Sequence, residues 1–303
     1  MKRFRSSLLL ALMATASTLT FGQAAQRAAA IPDFSGTWAH ASIPGFEPLA
    51  SGPTSLVNRS RRNGIAVLEQ LNGDYTNPIL KPEAAAIVKQ HAEQSLSGFG
   101  YPTPRNQCWP GGVPFVLPTN GMQMFQGPDK ITIIYAVDHQ VRHVRMNVPH
   151  PANPAPSWYG DSVGHYEGDA LVIDTVGVKI GPFAMVDWYG TPHSPALHVV
   201  ERYRLMDYDE AKDGLDRDRR ENLTGRSPDS GIEPFGMDPN YRGKYLQLLV
   251  TVDDTNVFTT PWSATVTYGH PYGPWLELVC AENPRKYGTE RDVQVPAAET
   301  PDF

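Results

Sequence analysis

The chain has 303 residues and a formal net charge of −6 at pH 7, and its 26 Lys and Arg residues are spread evenly along it. A chain of this length can bury a substantial core, either in one large domain or in two small ones. Because it has no basic stripe, the composition argues against a nucleic-acid-binding protein, and we expect no nucleic-acid partner.

The N-terminus has the pattern of a bacterial secretory signal peptide. Three basic residues lie at positions 2, 3 and 5, an apolar run follows at 8–21, and a small-residue stretch follows at 22–25. We predict a signal peptide over 1–25 and a periplasmic or secreted protein. An uncleaved anchor is the alternative, but the run contains Thr and Ser and is short for a span of about 20 apolar residues. No later stretch is apolar enough to cross a bilayer, so we expect no stable membrane insertion after cleavage.

The segment after the signal peptide starts with a turn and a strand and then loses its periodicity. The first strand is predicted at 37–42. The stretch 44–73 is rich in Gly, Pro, Ser and Arg, and it predicts a surface excursion with one helical turn near 65–71. The clearest helix begins at Pro82 and ends before Gly98, since Pro favours the first helical position and Gly favours the stop.

Short strand patterns repeat along the rest of the chain. Each is rich in Val, Ile, Tyr and Thr and is bounded by Gly, Pro, Asn or Asp. The predicted strands are 131–137, 140–148, 161–166, 170–176, 197–205, 246–252, 262–268 and 275–281. In 262–268 apolar and polar residues alternate strictly, which indicates one buried and one wet face. Because no long helices separate the strands, we predict an all-β antiparallel barrel, or a closely packed sandwich, with one or two peripheral helices.

Two segments interrupt this rhythm. Residues 207–245 contain the charge run 213–221 followed by Pro, Gly and Ser, which predicts a solvated inserted loop between two strands. The tail 291–303 has Pro and carboxylates but little apolar surface to bury, so we expect it to be flexible. These features predict a single β-barrel domain over 31–290.

Cys108 and Cys280 are the only two cysteines. In an exported chain such a pair most often forms a disulfide, and two buried free thiols are the alternative. Neither cysteine has a second one near it in sequence, so a redox or zinc-thiolate role is poorly supported.

The stretch 156–175, PSWYGDSVGHYEGDALVIDT, holds a histidine and four carboxylates. Gly168 and its two acidic neighbours predict a tight hairpin turn, which explains those acids without any function. Asp161 and Asp174 lie in or at the ends of the strands and are harder to explain in this way. If Asp174 is buried among its apolar neighbours, it needs a partner or a raised pKa.

A second group of polar residues follows at 191–205, TPHSPALHVVERYRL. Glu201 is the one carboxylate in a strand row that otherwise contains Leu197, Val199, Tyr203 and Leu205. It is either a functional acid inside the barrel or the partner of a buried arginine, such as Arg142 or Arg145. His198 points to the opposite face of a regular strand, so His198 and Glu201 cannot readily share one metal ion.

Histidines are frequent enough to raise the question of a metal site. The candidates are His143, His150, His165, His193 and His198. None has a recognised ligand spacing such as HExxH, so we predict no metal and no cofactor. A serine nucleophile is equally unsupported, because no GxSxG elbow is present.

Aromatic residues are abundant in the predicted loops, where they could close over a flat apolar ligand at the mouth of a barrel. We expect Trp158, Tyr159 and Trp188 to contact such a ligand, together with Tyr203 in the strand predicted at 197–205. Packing between the loops is the alternative for each of them.

Six motifs together resemble a large family of exported, mostly uncharacterised bacterial proteins. They are DFSGTW (33–38), CWPGGVP (108–114), HPANPAPSWYGDSVGHYEGDALVIDTVG (150–177), TPHSPALHVVERY (191–203), TTPW (259–262) and CAEN (280–283). The third and fourth are the most specific. The chain has Tyr166 where this family usually has Trp, and its 207–245 segment is longer than usual. The resemblance implies a lipocalin-like antiparallel barrel, but it implies no particular reaction.

The polar positions within these motifs suggest general acid and base chemistry. The candidate catalytic residues are Glu201, His193, His198, Asp174, Asp161 and His165. We predict an exported barrel enzyme that encloses a small, largely apolar organic molecule and carries out metal-free chemistry of the lyase, hydratase or isomerase type. A non-catalytic periplasmic carrier and a metal-dependent hydrolase are the alternatives.

Overall fold

Ten strands form one curled mixed sheet in the computed structural model, which describes residues 31–40, 43–67, 69–221, 236–276 and 278–280. The predicted signal peptide 1–25 and the predicted tail 291–303 lie outside these residues. The strands are β1 (Gly36–Trp38), β2 (Glu47–Pro48), β3 (Arg61–Arg62), β4 (Ile65–Ala66), β5 (Met122–Gln126), β6 (Lys130–Tyr135), β7 (Val141–Met146), β8 (Asp161–Glu167), β9 (Ala170–Val176), β10 (His198–Met206), β11 (Tyr245–Asp253) and β12 (Trp262–Tyr268). The helices are α1 (Pro82–Leu96) and α2 (Tyr208–Glu221).

The sheet has the strand order β1-β5-β6-β7-β8-β9-β10-β11-β12-β2, and β3 pairs only with β4. Its concave face is the core, because alternate residues of each strand turn inward. In β10, for example, Val199, Glu201 and Tyr203 are fully buried, whereas the residues between them are partly exposed. The all-β class and the inward row of β10 are therefore confirmed.

The sheet differs from the predicted closed antiparallel barrel in two ways. β7 and β8 are parallel, because the long connection at 147–160 returns the chain to the end at which β7 began. The sheet also remains a half-barrel, with β1 and β2 at its two edges. A single antiparallel bridge between Ala39 and Gly269 joins the chain after β1 to the chain after β12, without a continuous closing ladder.

The predicted helix is confirmed as α1. Pro82 occupies its first turn, and Ala84, Val88 and Ala92 bury one face at spacings of four residues. The helical turn predicted near 65–71 is wrong, because β4 pairs with β3 there. The 44–73 excursion also contributes to the core, since Phe46 and Leu56 are buried in it.

The 207–245 segment is not only a solvated loop, because α2 occupies its first part. Ala211, Leu215 and Asp218 recur at helical spacing and face the protein. Gly214 allows the helix to approach β12 closely, since a Cβ at this position would collide with the Thr267 hydroxyl. The polar face of β12 is therefore covered by α2 rather than wet, and Thr265 and Thr267 are buried.

Two further sequence expectations differ from the structure. The strands β2 to β5 were not predicted, and the strand predicted at 275–281 is absent from its described residues. Leu278 forms only an isolated bridge with Val137. This segment lies beside the loop after β6 rather than beside a strand, so it has no ladder to join.

Candidate functional site

The core contains an arginine whose donors are all used. Arg142 of β7 makes two hydrogen bonds to Glu201, Nη2 to Oε1 at 2.7 Å and Nη1 to Oε2 at 3.0 Å. Its other donors reach Ser162 Oγ, Thr175 Oγ1 and Tyr135 OH. A guanidinium has five N–H groups, and these five bonds use them all.

Glu201 is equally satisfied, since Tyr203 OH also donates to its Oε2 at 2.7 Å. Both residues are fully buried inside the sheet. This is the structural alternative considered for Glu201, with Arg142 rather than Arg145 as the partner. The arrangement neutralises the carboxylate and surrounds it with protein, so the predicted roles of Glu201 as a catalytic acid and of Tyr203 as a ligand contact are wrong.

The outer face of the same strands carries a second polar group, the outer-face network, which consists of Arg145, His150, Asp161, Asp174 and His198. His150 bridges the two carboxylates, with Nδ1 2.6 Å from Asp161 Oδ1 and Nε2 2.9 Å from Asp174 Oδ1. His198 Nε2 lies 2.9 Å from Asp174 Oδ2, and Arg145 donates to both oxygens of Asp161. The structure thus brings together three of the predicted catalytic residues, Asp161, Asp174 and His198.

Partial exposure and mutual attraction set the charges in this network. Burial alone would raise the pKa of Asp174, but hydrogen bonds from His198 and His150 outweigh it and hold this pKa below its usual value of 3.8. The hydrogen bond to Asp174 raises the pKa of His198 above 6.5. Asp174 is therefore ionised and partnered, rather than a buried acid held neutral.

His165, the remaining predicted acid or base on this face, belongs to a separate exposed contact. Its Nε2 lies 2.9 Å from Glu167 Oε1, and Arg202 donates to Glu167 Oε2 at 2.6 Å. Gly168, with φ of 64°, forms the hairpin turn between β8 and β9. The hairpin interpretation of this turn is confirmed.

A cavity of about 490 Å³ lies between the loop at 101–106, the loop after β6 and the segment 278–280. Its wall is formed by Leu71, Tyr101, Thr103, Arg105, Asn106, Val137, Trp188, Leu278, Val279 and Cys280. Among these described lining residues, Arg105 carries the only formal charge. Its guanidinium lies 5.3 Å from the centre of the Trp188 ring and donates to Asn120 Oδ1. Trp188 is thus the predicted aromatic residue that lines this cavity.

The other predicted loop residues line two smaller clefts. Trp158 and His193 line one of them, and Tyr159 lines the other. Burial lowers the pKa of His193, which favours its neutral form. Tyr159 stacks on Tyr135 and donates to Gln140, so its ring is held in place by packing.

The disulfide Cys108–Cys280 is present and fixes one side of the cavity. Cys280 N donates to Asp138 Oδ1 at 2.6 Å, and Cys280 Sγ contacts Arg105 O at 3.2 Å. The bridge therefore ties the Arg105 loop to the segment that forms the opposite wall. The disulfide is compatible with an exported protein.

A third polar group, the buried triad, was missed by the sequence analysis. It consists of His40, Glu47 and Asp218, whose nearest ligand atoms all lie within 4.8 Å of one another. Among the described residues, no other group of three or more His, Cys, Asp or Glu side chains converges in this way. Burial would lower the pKa of His40, but Asp218 and Glu47 outweigh it and raise this pKa to about 9.

The sequence contains a helical pattern that could have placed Asp218 in the triad, but the charged residues around it hide this pattern. Ala211, Leu215 and Asp218 have the spacing of one helix face, yet the dense charges around them predicted a solvated loop. Glu47 lies in a stretch without periodicity, so nothing in the sequence places it next to β12.

Within the described residues, neither helix is long and apolar enough to span a bilayer. Comparisons with models of known protein families, with curated proteins and with solved structures found no match to this chain.

Proposed function

We propose that this protein binds a small, largely apolar organic molecule with an acidic group in the cavity between Arg105 and the Cys108–Cys280 disulfide. The observation that carries the proposal is the cavity itself. Its volume of about 490 Å³ is that of a typical small-molecule site. Its wall combines apolar and aromatic side chains with one cationic group, which fits a ligand of mixed character.

Arg105 supplies the polar end of this site. A planar guanidinium recognises a carboxylate through paired hydrogen bonds, and such a bond to a charged group contributes about 1.5–3 kcal/mol. Trp188 supplies the apolar end, on which a flat ring can pack. The family resemblance implies a lipocalin-like fold, and we include that fold in the proposal.

The supporting loops are held in place before a ligand arrives. Asn106 accepts a hydrogen bond from Thr103 N and donates to Tyr101 O. Asp187 accepts bonds from Tyr189 N and from the Thr191 hydroxyl, which fixes the turn that carries Trp188. A preformed wall lowers the ordering cost of binding.

The test is a fluorescence titration with 1-naphthoate and its methyl ester as probes. We expect the wild-type protein to bind the acid more tightly than the ester. Arg105→Gln should weaken binding of the acid about tenfold or more and leave the ester unchanged, since only the acid contacts the guanidinium. The matched control is Arg204→Gln, which removes an arginine that pairs with Asp169 on the exposed surface. Equal binding of both probes to wild type and Arg105→Gln would contradict the proposal.

Acid and base catalysis at the outer-face network is the second candidate function. The observation that favours it is His150, which lies between two carboxylates with His198 next to one of them. Such a chain can pass a proton between a histidine and a substrate. This candidate requires that a bound compound be released chemically changed, and that Asp174→Asn abolish the change without affecting ligand binding.

A further inference from the structure

The buried triad joins three segments that are distant in sequence. His40 follows β1, Glu47 begins β2, and Asp218 lies in the last two turns of α2. All three side chains are almost completely buried. They meet between the outer face of β12 and the helix that covers it. None of the three lines the proposed ligand cavity.

The atoms that face one another in the triad lie at ion-pair distances. His40 Nε2 lies 3.2 Å from Asp218 Oδ1 and 3.8 Å from Glu47 Oε1. Beyond this contact, His40 Nε2 and Asp218 Oδ1 are both buried and have no hydrogen-bond partner among the described residues. A cation placed between the two atoms would be a ligand common to both.

The spacing of these atoms suits a metal ion. Zinc binds histidine nitrogen and carboxylate oxygen at about 2.0–2.2 Å, so two ligand atoms on one tetrahedral ion lie about 3.4 Å apart. The distances of 3.2 and 3.8 Å lie on either side of this value. His40 Nδ1 also has no partner, but an ion bound at Nε2 does not change that.

Charge supports the same conclusion. A divalent cation would neutralise the two carboxylates and take the imidazole as a third ligand. Arg217, which precedes Asp218 on α2, donates to Thr265 Oγ1.

Other residues orient Glu47 as they would a metal ligand. Thr267 N donates to its Oε1 at 2.5 Å, and the Thr267 and Thr265 hydroxyls donate to its Oε2 at 2.9 and 3.2 Å. Each carboxylate oxygen has two lone pairs, so Oε1 retains one for an ion. Hydrogen bonds of this kind to a ligating carboxylate are usual in metal sites.

We propose that His40, Glu47 and Asp218 bind one divalent metal ion of the zinc class, in a buried site that holds α2 against β2 and β12. The role of the ion is structural, because the site is buried and its ligands come from three segments that are distant in sequence. The proposal departs from the metal-free expectation drawn from the sequence, and it does not depend on the proposed ligand cavity.

The first test is metal content and thermal stability. The full-length protein, purified without chelator and incubated with Zn²⁺, is expected to retain one ion per chain after desalting. Dipicolinate should then lower the Tm by about 5 °C or more, and added Zn²⁺ should restore it. Asp218→Asn should lose both the ion and the chelator effect.

The matched control is Asp216→Asn, which changes an exposed aspartate on the same helix that pairs with Arg219. It should retain the ion. The proposal would be overturned if the wild-type protein retained no zinc and its Tm did not change with the chelator. The triad would then be an imidazolium–carboxylate cluster. Equal zinc retention in Asp218→Asn would place the ion elsewhere and overturn it as well.

A second measurement needs no variant and covers the case in which Asp218→Asn does not fold. Anomalous scattering at the zinc absorption edge from a crystal of the wild-type protein should give one peak between the three side chains. A peak at any other position, or none after zinc loading, would contradict the assignment.

Discussion

Strands β8, β9 and β10 carry two polar groups on opposite faces, built from residues that are neighbours in sequence. Asp174 belongs to the outer-face network and Thr175 to the interior, and Asp161 and Ser162 divide in the same way. Inside, Arg142 and Glu201 are fully buried and every guanidinium donor is paired. Outside, Asp174 and His198 keep about a third and two fifths of their side-chain surface exposed to water.

This difference shows that position decides what a charged residue can do. A carboxylate enclosed by its partners stabilises one arrangement of the core and has no capacity left for a substrate. A carboxylate that water and solutes can reach contributes little to stability but can still exchange protons. Glu201 and Asp174 both lie among apolar residues of a strand. They differ in the face of the sheet on which the side chain lies.

The largest expected effect is at Glu201. Glu201→Ala removes the partner of a buried guanidinium, so we expect the free energy of unfolding to fall by about 3–5 kcal/mol, measured by urea denaturation. The control is the double variant Arg142→Met with Glu201→Leu, which leaves no uncompensated charge and should recover much of the loss. If Glu201→Ala had the same free energy of unfolding as wild type, the interior cluster would not be structural.

A smaller effect is expected at Thr175. Thr175→Val removes the hydroxyl that accepts from Arg142 Nη2 at 2.6 Å, while the shape of the side chain is kept. One buried donor is left unpaired, so we expect a loss of about 1–3 kcal/mol in the same assay. If the free energy of unfolding did not change, the hydrogen bonds of Arg142 would tolerate one unpaired donor.

The neighbouring Asp174→Asn should cost less than about 1 kcal/mol, because its partners are partly exposed. The pH dependence has a definite sign. The lowered pKa of Asp174 gives stability that is present above pH 3.8 and is lost as pH falls through its folded value. The raised pKa of His198 gives stability that is present below pH 6.5 and is lost as pH rises through its folded value.

Wild type and Asp174→Asn should therefore differ most near pH 5 and converge toward both extremes, which urea denaturation at three pH values would show. A difference that grows steadily toward high pH would contradict the pairing of Asp174 with His198.

The smallest effect is on a single titration curve. By NMR, the His198 ring should titrate above pH 6.5 in wild type and closer to 6.5 in Asp174→Asn. Asp169→Asn changes another carboxylate of the same surface, which pairs with Arg204, and it should leave the curve unchanged. An unshifted His198 in wild type would mean that the contact with Asp174 does not persist in solution.

Much of the fold could be predicted because its signals are local. The two-residue period placed His198 and Glu201 on opposite faces, Gly168 indicated the hairpin turn, and Pro82 marked the start of α1. The cysteine count alone indicated the bridge between Cys108 and Cys280, because it left one possible pair.

The rest depends on contacts between distant segments. Nothing local distinguishes Arg142 from Arg145 as the partner of Glu201, because the answer depends on which face of β7 turns inward. His150 lies in a connection without periodicity, so its position between Asp161 and Asp174 could not be predicted. The cavity wall also comes from five separate parts of the chain, one of which is held by the disulfide.

The most direct test of the central claim, that the cavity is the ligand site, is an NMR titration of ¹⁵N-labelled protein with 1-naphthoate. The proposed site predicts a saturable shift of the Trp188 indole N–H, while the ring signals of His150 and His198 stay in place. Shifts confined to His150 and His198, with Trp188 unchanged, would contradict the claim and move the functional site to the outer-face network.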